Sequence, residues 1–165
     1  MIDLLRSVLL KNGARILKDE KVNGIWELVV DKIPGDPHRG QAGAMRTKRY
    51  TLDKFFVKSH DGGKSGVWKE DIEEIRMEIK ACAHFIHQGF LVEKVAILRL
   101  DEESFLVEKL LNTFTLEEWK NHQRYDEAVK LCDSLKFYSP EFTLKNLGCD
   151  PENGKLKFFD VFPIN

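Results

Sequence analysis

Apolar residues recur at two spacings along this chain, and the switches between them mark out its elements. Residues 2–10 (IDLLRSVLL) put Ile2, Leu5 and Leu9 on one side of a short amphipathic helix, with Asn12-Gly13 as its stop. Residues 14–18 read as a weak strand, and Asn23-Gly24 is a hairpin signal. Residues 25–33 (IWELVVDKI) alternate, with Trp26, Leu28 and Val30 on one face and Glu27 and Asp31 on the other, as in a half-buried strand. The following PGDPHRGQAGAMR, with two prolines and Gly35, Gly40 and Gly43, must be a loop. Residues 46–52 and 54–59 are two more strands meeting at Asp53, and the second, KFFVKS, is strongly β-prone. A glycine-rich connection at 60–66 leads into the longest helix, 67–88. Its apolar stripe is Ile72, Ile75, Ile79, Cys82 and Ile86, and Gly89 closes it as a C′ residue.

Strands at 95–100 and 105–110 flank an acidic turn at 101–103. Thr115 is the N-cap of LEEWK, with Glu118 at the capping-box position. Residues 125–135 form a second amphipathic helix with Ala128, Leu131 and Leu135 inward. The chain then closes on two short strands around Pro151-Glu152-Asn153-Gly154.

Composition narrows the class. The 165 residues suit a single domain, and 26 basic against 27 acidic residues give a net charge of −1, which argues against a general nucleic-acid binder. No apolar run approaches the ~18 residues of a membrane span. The start, MIDLLRSVLLKNG, has neither a cationic opening nor a small-residue cleavage site, so no signal peptide is expected. Helix 2–10 has Arg6 as its one cation with Lys11 just after it, so a capping role on the domain is favoured over peripheral contact with a membrane. Three widely spaced cysteines, Cys82, Cys132 and Cys149, fit a reducing compartment better than a disulfide framework, and no CxxC suggests zinc. His84 and His87 read as exposed helix residues rather than metal ligands, and Cys82 as a small core residue. Trp26, Trp68 and Trp119 fit packing roles.

The order of elements then carries a resemblance. A strand, a glycine-containing loop, a strand, a strand with a lysine, a helix with glutamates, two strands, a helix, a loop with an asparagine, and a hairpin ending in aspartate resemble the protein-kinase-like fold. The stretches MRTKRYTLDKFFVKSHDGG, EIKACAHFIHQGFLVEKV, SFLVEKLLNTFTLEEW and EFTLKNLGCDPENGKLKFFDV look most like its lipopolysaccharide-core (heptose) kinase branch, over roughly residues 25–162. The resemblance implies an α+β fold: a kinase-like N-lobe, an antiparallel sheet with one long helix, plus a rudimentary C-terminal helix and hairpin. It divides the single domain, 1–165, into an N-terminal extension at 1–24, an N-lobe-like part at 25–112 and a reduced C-lobe-like part at 113–165. It also implies a bacterial, cytoplasmic setting and binding of ATP with Mg²⁺.

Phosphoryl transfer rests on positioning and on neutralising charge around the nucleotide phosphates. In the resemblance, Lys58 at the end of FFVK reaches those phosphates. Strand alternation puts Phe56 and Lys58 on one face and Phe55 and Val57 on the other. Glu78 is the long-helix partner for Lys58, at the edge of the buried face, roughly 70° from the centre of the isoleucine stripe. Glu74 lies farther round, Glu73 on the solvent side, and Asp71 in the first turn, where an acid suits the helix dipole. Gly40 and Gly43, with Gly35, stand where the family places its phosphate cover, although their spacing is not GxGxxG. Arg39, Arg46, Lys48 and Arg49 offer further cations there, against the simpler reading of a solvated basic loop. SPEFTLKN resembles the catalytic loop, which implies Asn146 as a Mg²⁺ ligand and Glu141 in place of the usual aspartate base. Glutamate is one methylene longer, and a displacement of about an ångström can cost ~10²-fold in rate. Ser139 and Pro140 stand where the family has His and Arg. The resemblance also implies Asp160, in Asp160-Val161-Phe162, as the second Mg²⁺ ligand; only five residues follow it here, so the family's parts that support the catalytic loop and bind the acceptor are not expected in this sequence.

Three readings follow. One is a minimal ATP-dependent phosphotransferase with Lys58 and Glu141 catalytic, Lys58, Glu78, Gly40 and Gly43 holding nucleotide, and Asn146 and Asp160 holding metal. Another is a pseudokinase-like module that keeps the scaffold without the chemistry and grips a protein partner or a second copy through its apolar C-terminal end, FFDVFPI. The third is a non-catalytic α+β binding protein of the immunity, inhibitor or adaptor kind. The substituted base and the reduced C-lobe favour the second over the first, and the surviving Lys58, Asn146 and Asp160 favour the first over the third.

Overall fold

The computed structural model describes residues 1–34, 38–39, 48–59, 71–101 and 103–161. The fold is α+β. The chain divides into two compact units, one of Met1–Ile79 with Glu93–Leu110, the other of Lys80–Val92 with Leu111–Asn165.

The first unit begins with helix α1, Ile2–Lys11, whose buried residues are Leu5, Val8 and Leu9. Ile2 lies on the same side, half-buried against that core, and Val8 adds a position the sequence reading did not name. Strands β1, Ile16–Val22, and β2, Ile25–Val30, pair as an antiparallel hairpin. Their turn needs two left-handed residues, and Asn23 (φ 50°) and Gly24 (φ 86°) supply them. A two-residue strand β3, His38–Arg39, pairs with β4, Lys48–Leu52, and β4 pairs with β5, Phe55–Ser59. After helix α2, Asp71–His87, come β6, Lys94–Leu100, and β7, Glu103–Lys109.

The seven strands form one sheet in the order β1-β2-β6-β7-β5-β4-β3. The sheet is mixed rather than antiparallel, because β2 runs parallel to β6, with Trp26 opposite Ala96 and Leu28 opposite Leu98. The strands before and after the glycine loop are not neighbours: β2 lies between β1 and β6, and β4 between β3 and β5. Residues 1–24 therefore contribute an edge strand and a covering helix to the same sheet.

Both sheet faces are covered. On one, Leu28, Val30, Phe55, Val57, Leu98, Phe105 and Val107 pack with Leu5, Val8 and Leu9 of α1. On the other, Ile25, Ile97 and Leu106 pack with Ile72 and Ile75 of α2. Double coverage overturns the solvent-facing reading of Glu27, which is 3% exposed and meets Arg76 of α2 through two hydrogen bonds, 2.7 and 2.9 Å. Burying a carboxylate is tolerable only with such a partner.

The second unit has its own core. Helix α3, Leu116–Lys120, starts at Thr115 with the reciprocal bonds of a capping box to Glu118. Helix α4, Tyr125–Leu135, buries Ala128, Cys132 and Leu135, and Leu131 packs half-buried against the same core. Strands β8, Asn112–Thr113, β9, Leu147–Cys149, and β10, Leu156–Phe158, form a three-stranded antiparallel sheet, where the sequence suggested only a hairpin. Gly148 is required there, since a Cβ would stand 2.7 Å from the Asn112 carbonyl oxygen and 2.9 Å from Leu111 Cβ. Phe142 packs edge-on against Phe158, with ring centroids 4.9 Å apart. Cys82, Cys132 and Cys149 are buried and unbridged, and burial pushes the Cys132 thiol up to about 11. Among the described residues no helix is long and apolar enough to cross a membrane.

Candidate functional site

In the first unit the sheet and α2 assemble a buried cluster of four charges. Phe55 and Val57 turn into the α1-side core, so alternation sends Lys58 to the α2 side of the sheet. Lys58 is 4% exposed, and its Nζ donates to Glu78 Oε1 at 3.3 Å. The buried positions of α2 run Ile72, Ile75, Glu78, Cys82 and Phe85, so Glu78 lies within the buried stripe rather than at its edge. The isoleucines alone misplace the centre of that stripe, because Ile79 and Ile86 are only half-buried while Phe85 is buried.

Two further members come from neighbouring strands. Glu108 on β7 stands opposite Phe56 and thus diagonal to Lys58, whose direct partner is Leu106. Glu108 Oε1 lies 3.0 Å from Lys58 Nζ. Lys94 on β6 is paired in register with Glu108, and its Nζ lies 3.3 Å from Glu108 Oε2 and 3.8 Å from Glu78 Oε1. All four side chains are about 5% exposed or less. The cluster is charge-balanced, as burial of ions demands, and it ties β5, β6, β7 and α2 at one place.

Lys94 and Glu108 escaped the sequence reading. The signal was available: Phe105-Leu106-Val107 is apolar on both faces, which marks a central strand, and Glu108 shares a face with Leu106. A charged residue inside such a strand requires a buried counter-ion.

In the second unit, three of the remaining candidates come together through the backbone. Asn146 ends a single 3₁₀ turn, Leu144–Asn146. Its side-chain Nδ2 donates to the Glu141 carbonyl oxygen at 3.0 Å, and its own carbonyl oxygen accepts from the Phe159 N–H at 2.8 Å. Glu141 N–H donates to Ser139 Oγ at 3.2 Å, so Ser139 shapes the same loop from a buried position. Asp160 follows at φ 51°, a left-handed conformation that aspartate tolerates better than most residues. The carbonyl oxygen of the next residue, Val161, accepts from Cys82 Sγ at 3.6 Å. Asn146 thus fixes the loop that carries Glu141 to the strand end that carries Asp160.

The remaining candidates divide differently. Gly35, Gly40, Gly43 and Arg46 lie outside the described residues, as do Trp68, the end of the chain from Phe162 and the side chains of Arg39, Lys48, Arg49 and Asp71. His84 and His87 are exposed on α2. Among the described residues no group of three or more His, Cys, Asp or Glu side chains converges to hold a metal ion. No family model matches the chain, and no curated protein matches it.

Proposed function

We propose that the protein is a kinase-like nucleotide-binding scaffold in which Lys58, held by Glu78, is the anchor for the phosphates of ATP, and in which phosphotransfer is weak or lost. The observation that carries this reading is the strand-to-helix ion pair Lys58–Glu78. A lysine on the strand before the long helix, paired with a glutamate on that helix, is what a kinase uses to present an ammonium to the nucleotide. The element order from β3 to Asp160 adds support. In this reading Gly40 and Gly43 cover the phosphates, and Asn146 and Asp160 hold Mg²⁺, which would neutralise phosphate charge. The Asn146 amide nitrogen is committed to the Glu141 carbonyl, which leaves its Oδ1 as the atom for a cation. Glu141 stands as a displaced, weak base. The setting is cytoplasmic, where three buried thiols stay reduced.

A second reading, a non-catalytic α+β module that binds a protein partner or a second copy through its apolar C-terminal end, is favoured by one observation. The Lys58 cluster balances its own charge, with Lys58 and Lys94 against Glu78 and Glu108, so the fold explains it without a ligand.

Thermal unfolding with and without MgATP separates the two. A ligand at about 100 times its Kd adds ~2.7 kcal/mol, several degrees in Tm for a domain of this size. The nucleotide reading expects a shift of that order in wild type and its loss in Lys58→Met and Asp160→Asn. No shift at millimolar MgATP overturns it in favour of the binding module.

A further inference from the structure

We propose that Glu108 is a built-in competitor for the Lys58 ammonium and sets how tightly a polyphosphate is held there; the inference rests on the nucleotide-binding reading above. An ammonium offers three N–H donors. Glu108 Oε1 lies 3.0 Å from Lys58 Nζ, nearer than Glu78 Oε1 at 3.3 Å. Glu78 comes from the long helix, the position from which a kinase lysine is held in place. Glu108 comes from the adjacent strand and is fixed from its other side by Lys94, 3.3 Å from Oε2.

The quality of the two contacts differs. Glu78 Oε1 accepts a directed hydrogen bond from Lys58. Glu108 Oε1 is buried and accepts no hydrogen bond of good geometry among the described residues, so charge alone holds it against Lys58. That is the acceptor place a better-directed phosphate oxygen would take. The arriving anion would then face Glu108 as a like charge where screening by water is poor. Two lysines against two glutamates also leave no net positive charge to attract it. Removing the Glu108 charge changes that balance to +1 and weakens the competing hold on the Lys58 ammonium.

The test uses the full chain and calorimetric titration with MgATP and, separately, with magnesium tripolyphosphate. Wild type is compared with Glu108→Gln and with Lys94→Met/Glu108→Gln, each with and without Lys58→Met, folding being checked by circular dichroism. The double variant keeps the cluster neutral, so it carries the test if Glu108→Gln fails to fold. The expected result is at least tenfold tighter binding of both ligands on loss of the Glu108 charge, abolished by Lys58→Met. Binding in these variants where wild type shows none, again dependent on Lys58, supports the proposal equally. If wild type binds MgATP through Lys58 and loss of the Glu108 charge leaves Kd unchanged, the competitor role fails and the nucleotide reading stands. If no folded variant binds either ligand, both fail.

Discussion

The two units hold their candidate residues by opposite means. The first fixes Lys58 with side chains: Glu78, Glu108 and Lys94 converge on or around it from a helix and two strands, and all are about 5% exposed or less. The second fixes Glu141, Asn146 and Asp160 mainly through backbone groups: the Glu141 carbonyl, the Asn146 carbonyl and the Phe159 N–H. An ion cluster positions a charge strongly, but every member depends on the others. A backbone-anchored loop positions polar groups with less energy at stake in each, and leaves side chains more freedom to change.

The largest expected effect follows from that contrast. Lys58→Ala leaves Glu78 and Glu108 buried with Lys94 between them, an unbalanced negative charge. Breaking a buried pair in this way costs about 3–5 kcal/mol. Replacing the pair together, Lys58→Met/Glu78→Met, removes one charge of each sign, and its expected cost is a small fraction of that. In the second unit, Asn146→Ala loses one side-chain hydrogen bond, worth about 0.5–1.5 kcal/mol. Urea denaturation of the three variants checks the ranking, and an Asn146→Ala cost equal to that of Lys58→Ala would erase the distinction between the two kinds of site.

The same contrast explains what was legible in the sequence. Local signals read well: the Asn23-Gly24 turn, the Thr115 capping box, the Gly89 helix stop and the 125–135 helix all depend on residues within a turn or two. Sheet order did not, since nothing local to residues 25–30 says that they run parallel to 94–100. Both covered faces of that sheet were likewise invisible, so Glu27 passed for a solvent residue although Arg76 and α2 bury it. In the Lys58 cluster, Lys58 and Glu78 were singled out by the resemblance; strand alternation gave the face of Lys58, while helical phase set Glu78 at the edge of a stripe that buries it. Lys94 and Glu108 were missed because their roles arise only when β5, β6 and β7 lie side by side in a particular register.

A second prediction tests whether the core of the second unit is as closed as the cluster of the first. Burial raises the Cys132 thiol from 9.0 to about 11. The sign follows from linkage: between those values the unfolded chain loses the proton while the folded chain keeps it, so stability is full below about pH 9 and falls as pH rises toward 11. Two pH units correspond to about 2–3 kcal/mol at most. Subtracting the pH profile of Cys132→Ala from that of wild type isolates this contribution from everything else that changes with pH. A difference that stays flat from pH 8 to 11 would show that water reaches the thiol, and that the second core is looser than the charge cluster of the first.

The smallest effect concerns Asp160, whose backbone adopts φ 51°. Asp160→Ala and Asp160→Gly both delete the carboxylate and every interaction it makes, so their difference reports the backbone alone. A left-handed conformation costs an alanine about 1–2 kcal/mol and a glycine almost nothing, offset in part by the greater freedom of glycine in the unfolded chain. Asp160→Gly is therefore expected to be more stable than Asp160→Ala by about 1 kcal/mol in denaturant titration. Equal stabilities would mean that the strand end after Phe158 relaxes out of the left-handed state, and with it the backbone link that joins Asn146 to the Asp160 position. A clear preference for glycine would mean that the fold holds this position in the left-handed state whatever the side chain, and so keeps the backbone link between Asn146 and the strand end.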